Sequence, residues 1–269
     1  MERKGSMYTS FGIPFCDLFS ADAGERQMRL ARAAGFAYTE LQLGEELFDK
    51  RLAAAKGADI FVSAARLPSD GVSLIWERDE AWEPLHALYL SALRAAKESG
   101  ISTVIASLDD GREAMLPTQN GLSHLRTLAA DAEKMGICLA FENGASPECF
   151  EVAVRSCCRS YHGVCFRPAA FWIATGSSAV PSYAYKSLIA LSLDDIVRGK
   201  SGYIPGDGEM DYVPLAASLA ESGYGGLLFA SVTREHAIYK NMKYEAFASR
   251  TYEALLRVVR MVRDRGGNL

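Results

Sequence analysis

The sequence predicts a single closed (β/α)8 barrel, an α/β fold with one domain over residues 1–269. Three observations carry this. Short β-rich runs alternate with helix-periodic segments from one end to the other. Glycine stands just past four helical segments, in Ala33-Ala34-Gly35-Phe36, Lys97-Glu98-Ser99-Gly100-Ile101, Glu133-Lys134-Met135-Gly136-Ile137 and Glu221-Ser222-Gly223-Tyr224, where it can adopt the left-handed conformation that ends a helix. No linker or composition break interrupts the 269 residues, a length that one such barrel absorbs. Units repeated in this way imply parallel strands joined by crossover helices. An open doubly wound sheet is the alternative, but no G-x-G-x-x-G follows the first strand.

In chain order the strands fall near 11–15, 38–41, 60–64, 103–107, 137–141, 163–166, 188–193 and 227–230. Between them, Leu30, Ala33 and Ala34 mark the first helix, and Leu85, Leu88, Leu93 and Ala96 the third. Leu122, Leu125, Leu128, Ala129 and Ala132 recur at spacings of three and four, which puts them on one face of the fourth. The strand ends read Cys16/Asp17, Glu40/Gln42, Arg66, Ser107/Asp109, Glu142/Asn143, Arg167, Ser192/Asp194/Asp195 and Ser231. Chemistry in such barrels sits at these C-terminal ends.

Several functions are excluded by composition. With 29 Lys+Arg against 33 Asp+Glu and a net charge of -4, there is no basic stripe for nucleic acid. No run approaches the roughly 18 apolar residues of a membrane helix. Arg3-Lys4 is followed by Gly12, Pro14 and Asp17, a poor signal-peptide core. The six cysteines lack C-x-x-C spacing and read as reduced core residues, which places the protein in the cytoplasm. His86 and His124 lie on helices and His162 precedes the sixth strand, so only His236, after the eighth, is on the active side. The Gly206-Asp207-Gly208 turn lacks the phosphate-loop lysine and reads as a plain turn with Asp211 capping the next helix.

Four segments carry a resemblance. Residues 125–143, ending Gly136-Ile137-Cys138-Leu139-Ala140-Phe141-Glu142-Asn143, resemble the fourth helix and fifth strand of the xylose isomerase-like TIM barrels. Gly35-Phe36-Ala37-Tyr38-Thr39-Glu40-Leu41 resembles their second strand. Pro205-Gly206-Asp207-Gly208-Glu209-Met210-Asp211-Tyr212 resembles the turn before their seventh helix, and Gly223-Tyr224-Gly225-Gly226-Leu227-Leu228-Phe229 their eighth strand. That superfamily includes sugar and sugar-phosphate isomerases and epimerases, inosose dehydratases and endonuclease IV enzymes. The resemblance implies a divalent metal held by a Glu after strand five, an Asp and a His around strand six, often a His after strand seven, and a Glu after strand eight. Here only Glu142 keeps its ligand; the others fall on Arg167, Ala170, Ser192 and Ser231. One carboxylate and two hydroxyls hold a divalent ion weakly, so neither metal nor other cofactor is expected. Arg167 is expected to replace the lost cation and pair with Glu142, with Asp195 as a further partner.

The resulting expectation is a sugar isomerase/epimerase-like protein that has lost most metal ligands and acts without metal on a small sugar, polyol or sugar phosphate. Glu142 is the expected base and Arg167 the stabiliser of an enediolate-like oxyanion, with His236 a third catalytic candidate. Substrate contacts are assigned to Glu40, Arg66, Trp172, Lys186, Ser192, Asp195 and Ser231. Among these, Arg66 and Lys186 would form an anion subsite and Trp172 would stack on a sugar ring. A carboxylate paired with arginine is a weak base, which opens an alternative: a non-catalytic relative that binds a small molecule or a partner protein. A second alternative is a metal-dependent isomerase with unusual ligands. Neither nucleic acid nor membrane is an expected partner, and the sequence leaves a homo-oligomer open.

Overall fold

The computed structural model describes residues 10–15, 21–110, 114–158 and 161–269. Seven parallel strands form one sheet in the order β1 (Tyr38–Gln42), β2 (Phe61–Arg66), β3 (Thr103–Ser107), β4 (Cys138–Glu142), β5 (Gly163–Phe166), β6 (Leu188–Leu193), β9 (Leu227–Ala230). Between β9 and β1 lies the segment 11–15, which the sequence reads as the first strand. Its bridges to both neighbours centre on Gly12: toward β9, Gly12 N donates to the Leu228 carbonyl and Ala230 N to the Gly12 carbonyl, each at 2.9 Å, and toward β1, Ile13 N donates to the Tyr38 carbonyl at 3.2 Å and Ala37 N to the Phe11 carbonyl at 3.0 Å. The ladder stays this short because Pro14 has no N–H to donate. The short segment Phe11 to Ile13 thus draws the barrel nearly closed.

Among the described residues eight α-helices wrap the sheet: α1 (Ala21–Ala34), α2 (Phe48–Gly57), α3 (Asp79–Glu98), α4 (Gln119–Lys134), α5 (Pro147–Cys157), α6 (Pro168–Thr175), α7 (Val213–Ser222) and α8 (Tyr244–Arg263). α8 packs against α1, joining the ends of the ring. The glycines after α1, α3, α4 and α7 have φ of 109° (Gly35), 75° (Gly100), 76° (Gly136) and 65° (Gly223), the left-handed geometry that their sequence position predicts. Among the described residues no helix is long and apolar enough to cross a membrane.

The sequence did not announce the antiparallel hairpin of β7 (Asp195–Val197) and β8 (Lys200–Tyr203), which follows β6 directly. Its turn uses Arg198 (φ 51°) and Gly199 (φ 74°), the two successive left-handed residues that suit a tight hairpin.

Two separate apolar regions result. The larger lies between sheet and helices. The smaller fills the barrel and contains Tyr38, Ala64, Ile105, Ala140, Cys165, Ala190 and Phe229. Tyr38 and Phe229 meet edge to face at 5.2 Å and occupy the space beside the bridging glycine. A Cβ at Gly12 would lie 2.4 Å from the Tyr38 ring and 2.5 Å from Phe229, so only glycine fits there.

Candidate functional site at the barrel mouth

Side chains alternate along a strand, so the residue two positions beyond each barrel-filling residue also points inward. From Tyr38, Ala64, Ile105, Ala140, Cys165, Ala190 and Phe229 this rule leads to Glu40, Arg66, Ser107, Glu142, Arg167, Ser192 and Ser231. An apolar layer is therefore roofed by a wholly polar one at the C-terminal mouth.

Arg66 is the hub of that layer. Its Nη1 and Nη2 donate to the two oxygens of Glu142 at 2.7 and 2.8 Å, its Nε donates to Glu40 at 2.7 Å, and Nη2 also reaches Ser192 Oγ at 3.0 Å. Glu40 and Glu142 are 7% and 4% exposed. Burial pushes the Glu142 carboxyl up, but the charge and paired hydrogen bonds of Arg66 outweigh it and hold Glu142 below the usual carboxylate value. Beneath, the Cys165 thiol lies 3.6 Å from Glu142 and 3.4 Å from Ser192. Burial, with Glu142 adding to it, pushes that thiol well up, so it remains protonated and inert.

Arg167, the residue expected to face Glu142, instead pairs with Asp194 at 3.2 Å and donates to Ser201 Oγ at 3.3 Å. Glu142 receives a fork of two N–H groups from Arg66, a better match to a carboxylate than one bond, and Arg167 acts on it only as a nearby charge. Asp194 is fully buried and also accepts from Gly202 N at 2.8 Å. Burial pushes its carboxyl up, against the pull of Arg167. Asn143 holds the Arg167 backbone, accepting from its N–H at 2.7 Å and donating to its carbonyl at 2.9 Å.

Asp195 is not a partner of this group. Its carboxylate accepts the backbone N–H groups of Ile196, Gly206, Gly208 and Met210 at 2.8–3.0 Å. The Gly206-Asp207-Gly208 turn is thus an anion cradle, and the chain fills it with its own acid. Asp211 caps α7 from just outside, accepting from Val213 N at 2.8 Å.

No protein-family model matches this sequence, and no curated protein does. Solved structures do. An L-ribulose 3-epimerase aligns with TM-score 0.73 at 16% identity, over 96% of this chain and 97% of the other. A D-psicose 3-epimerase from Clostridium cellulolyticum H10, solved with D-tagatose, gives 0.72 at 16% identity, over 94% and 99%. The IolI protein with a bound zinc atom gives 0.71 at 16%, over 96% and 99%. This chain shares the TIM-barrel fold of these structures.

A divalent ion of the kind implied for that fold does not suit these side chains. Both Glu142 oxygens accept from Arg66, and among the described residues no three His, Cys, Asp or Glu side chains gather closely enough to hold a metal. A guanidinium at this point repels a second cation.

Above the polar layer lies a cavity of about 440 Å³ whose lining includes Gln42, Arg66, Ser107, Glu142, Arg167 and Ser201, within the usual range for small-molecule sites, about 300–1,000 Å³. Other expected residues are placed elsewhere. Lys186 is exposed in the short helical turn Ser182–Ser187 before β6, on the opposite rim, and cannot share an anion subsite with Arg66. Trp172 packs half-buried against the outer core, while Ala170 and Ile173 are the residues of its helix that line the cavity. His236 donates from Nε2 to the Ser201 carbonyl at 2.9 Å and stacks on Tyr203 at 3.7 Å; it props up the hairpin from behind. Ser231, by contrast, keeps its place in the polar layer, with its N–H continuing the β9 ladder to the Leu193 carbonyl at 2.8 Å. Cys16 and Asp17 lie outside the described residues. Ser201 and Asp194 are the residues that the site reading left out. Ser201 arrives on a hairpin with no motif to mark it, whereas Asp194 stood among the named strand ends.

Proposed function

We propose that this chain binds a small sugar, polyol or sugar phosphate in the mouth cavity and does not carry out metal-assisted or Glu142-driven proton transfer. The observation that supports this is the two-pronged Arg66–Glu142 pair. A general base needs a free lone pair within reach of the substrate proton and a pKa close to the working pH. Glu142 fails the second condition, since the paired Arg66 guanidinium holds its pKa down and taking up a proton would weaken that pair. The hydroxyl and amide groups of Ser69, Ser107, Ser201 and Gln42 around the cavity suit a polyhydroxylated ligand. Similarity to the 3-epimerases points to the same class of molecule.

The test is twofold. Calorimetric titration with aldoses, ketoses, inositols and their phosphates is expected to find saturable binding by at least one. Incubating that ligand with the protein in deuterated water is expected to leave its carbon-bound hydrogens unexchanged by NMR. Deuterium wash-in at a carbon next to a carbonyl establishes the metal-free isomerase instead. A stoichiometric divalent ion bound by Glu142 in protein purified without chelator refutes the reading altogether.

A further inference from the structure

The sites around the mouth that could recognise an anion share one property: the chain has filled each with an acid of its own. The Arg66 fork holds Glu142, and its Nε holds Glu40. Arg167 holds Asp194. The cradle of N–H groups at 206–210 holds Asp195. The N–H groups of Ala145 and Ser146, leading into α5, hold the two oxygens of Asp109 at 3.0 Å each. Four of these acids, Glu142, Asp194, Asp195 and Asp109, are at most 4% exposed, so little solvent competes for their partners. A phosphate or carboxylate entering the cavity would meet guanidiniums already neutralised and would lie against Glu142.

We infer that the mouth selects an uncharged polyol or sugar over its phosphorylated or acidic counterparts, and that Asp194 sets this choice by cancelling the one guanidinium, Arg167, that is turned most toward the cavity. This deepens the binding reading above and rests on it. Arg167 spends Nη2 on Asp194 and Ser201, and its side chain is 29% exposed against 19% for Arg66. It is therefore the cation that an anionic ligand would use first. Placing like charges together excludes a wrong ligand even where no contact favours the right one. Asp194 has no surface on the cavity and acts only through Arg167, so it is a specificity residue and not a catalytic one.

The experiment measures a ratio. Each uncharged ligand that binds is titrated beside its phosphate and its aldonic acid, with wild-type protein and with Asp194→Asn. The wild type is expected to bind the uncharged member at least about tenfold more tightly, with little dependence on ionic strength. Asp194→Asn, which keeps the shape but frees the Arg167 charge, is expected to move the ratio toward the anion by about tenfold or more. If phosphate or acid binds the wild type as tightly as the uncharged partner, the charge selection is overturned while the binding reading stands. If nothing in the panel binds, the binding reading fails and this inference falls with it. If Asp194→Asn folds and the ratio does not move, Asp194 does not set the choice. Should that variant fail to fold, the wild-type ratio and its salt dependence decide.

Discussion

Replacing Arg66 by methionine tests whether this guanidinium holds the mouth together. The substitution keeps an unbranched chain of similar length and removes four hydrogen bonds, two to Glu142 and one each to Glu40 and Ser192. Two carboxylates, 7% and 4% exposed, lose their cation. Removing one partner of a buried pair costs about 3–5 kcal/mol. Protonation sets a ceiling: keeping a glutamic acid neutral at about pH 7 costs about 3.7 kcal/mol, from a reference pKa of about 4.3 and 1.36 kcal/mol per unit. For two acids the expected loss is therefore about 4–7 kcal/mol at about pH 7, a large share of the roughly 5–15 kcal/mol available to a domain. At about pH 5 the same ceiling falls to about 1 kcal/mol per glutamate. Without Arg66, burial is the largest influence left on Glu142 and should raise its pKa, so stability is expected to be lost as pH rises through the window between its unfolded and folded values. The wild-type contribution of Glu142, whose pKa is lowered, is constant above its unfolded value. The gap between the two proteins should thus shrink by several kcal/mol from about pH 7 to about pH 5. Urea unfolding followed by far-UV circular dichroism at both pH values measures it. Adding Glu40→Gln and Glu142→Gln should restore more than half of the loss, since a neutral cluster needs no cation. A loss below about 1 kcal/mol, or one of equal size at both pH values, would refute the reasoning.

Four further outcomes follow from single residues. Asp195→Ala strips the acceptor from four backbone N–H groups and should cost about 3–5 kcal/mol, with faster amide exchange at Gly206, Gly208 and Met210. Gly12→Ala forces a methyl to within 2.4 Å of the Tyr38 ring and should cost about 1–3 kcal/mol by thermal or urea unfolding. Lys186→Ala, exposed on the far rim, should change stability by no more than about 0.5 kcal/mol and leave calorimetric ligand affinity as it was. Glu142→Gln removes a carboxyl whose folded pKa is lowered. The wild type should lose stability as pH falls below about 4.3, and the variant should have a flatter acid limb in the same unfolding assay.

The barrel was legible because its signals are local. Gly35, Gly100, Gly136 and Gly223 end helices by their own backbone freedom, and the strand runs at 103–107, 163–166, 188–193 and 227–230 keep their predicted bounds. Local spacing also brought Glu40, Arg66, Glu142, Arg167 and Ser192 to the mouth, because a strand of period two delivers its end residue to a definite face. The hairpin at 195–203 escaped because its left-handed turn residues, Arg198 and Gly199, are not a strong hairpin pair, and because Asp194 and Asp195 look alike as strand ends. Their side chains point to opposite faces of the chain. One meets Arg167 at the end of the neighbouring strand, and the other turns outward into the cradle at 206–210.

What the residue order determined by itself was which charges would gather at one end of the barrel. Which cation would meet which anion was decided only by three-dimensional closure. Arg66 and Glu142 are 76 positions apart and on strands that are not neighbours in the sheet. A fork of two N–H groups reaches a carboxylate only where the curvature of the closed sheet brings their inward side chains across the axis, and that curvature is a property of all the strands together.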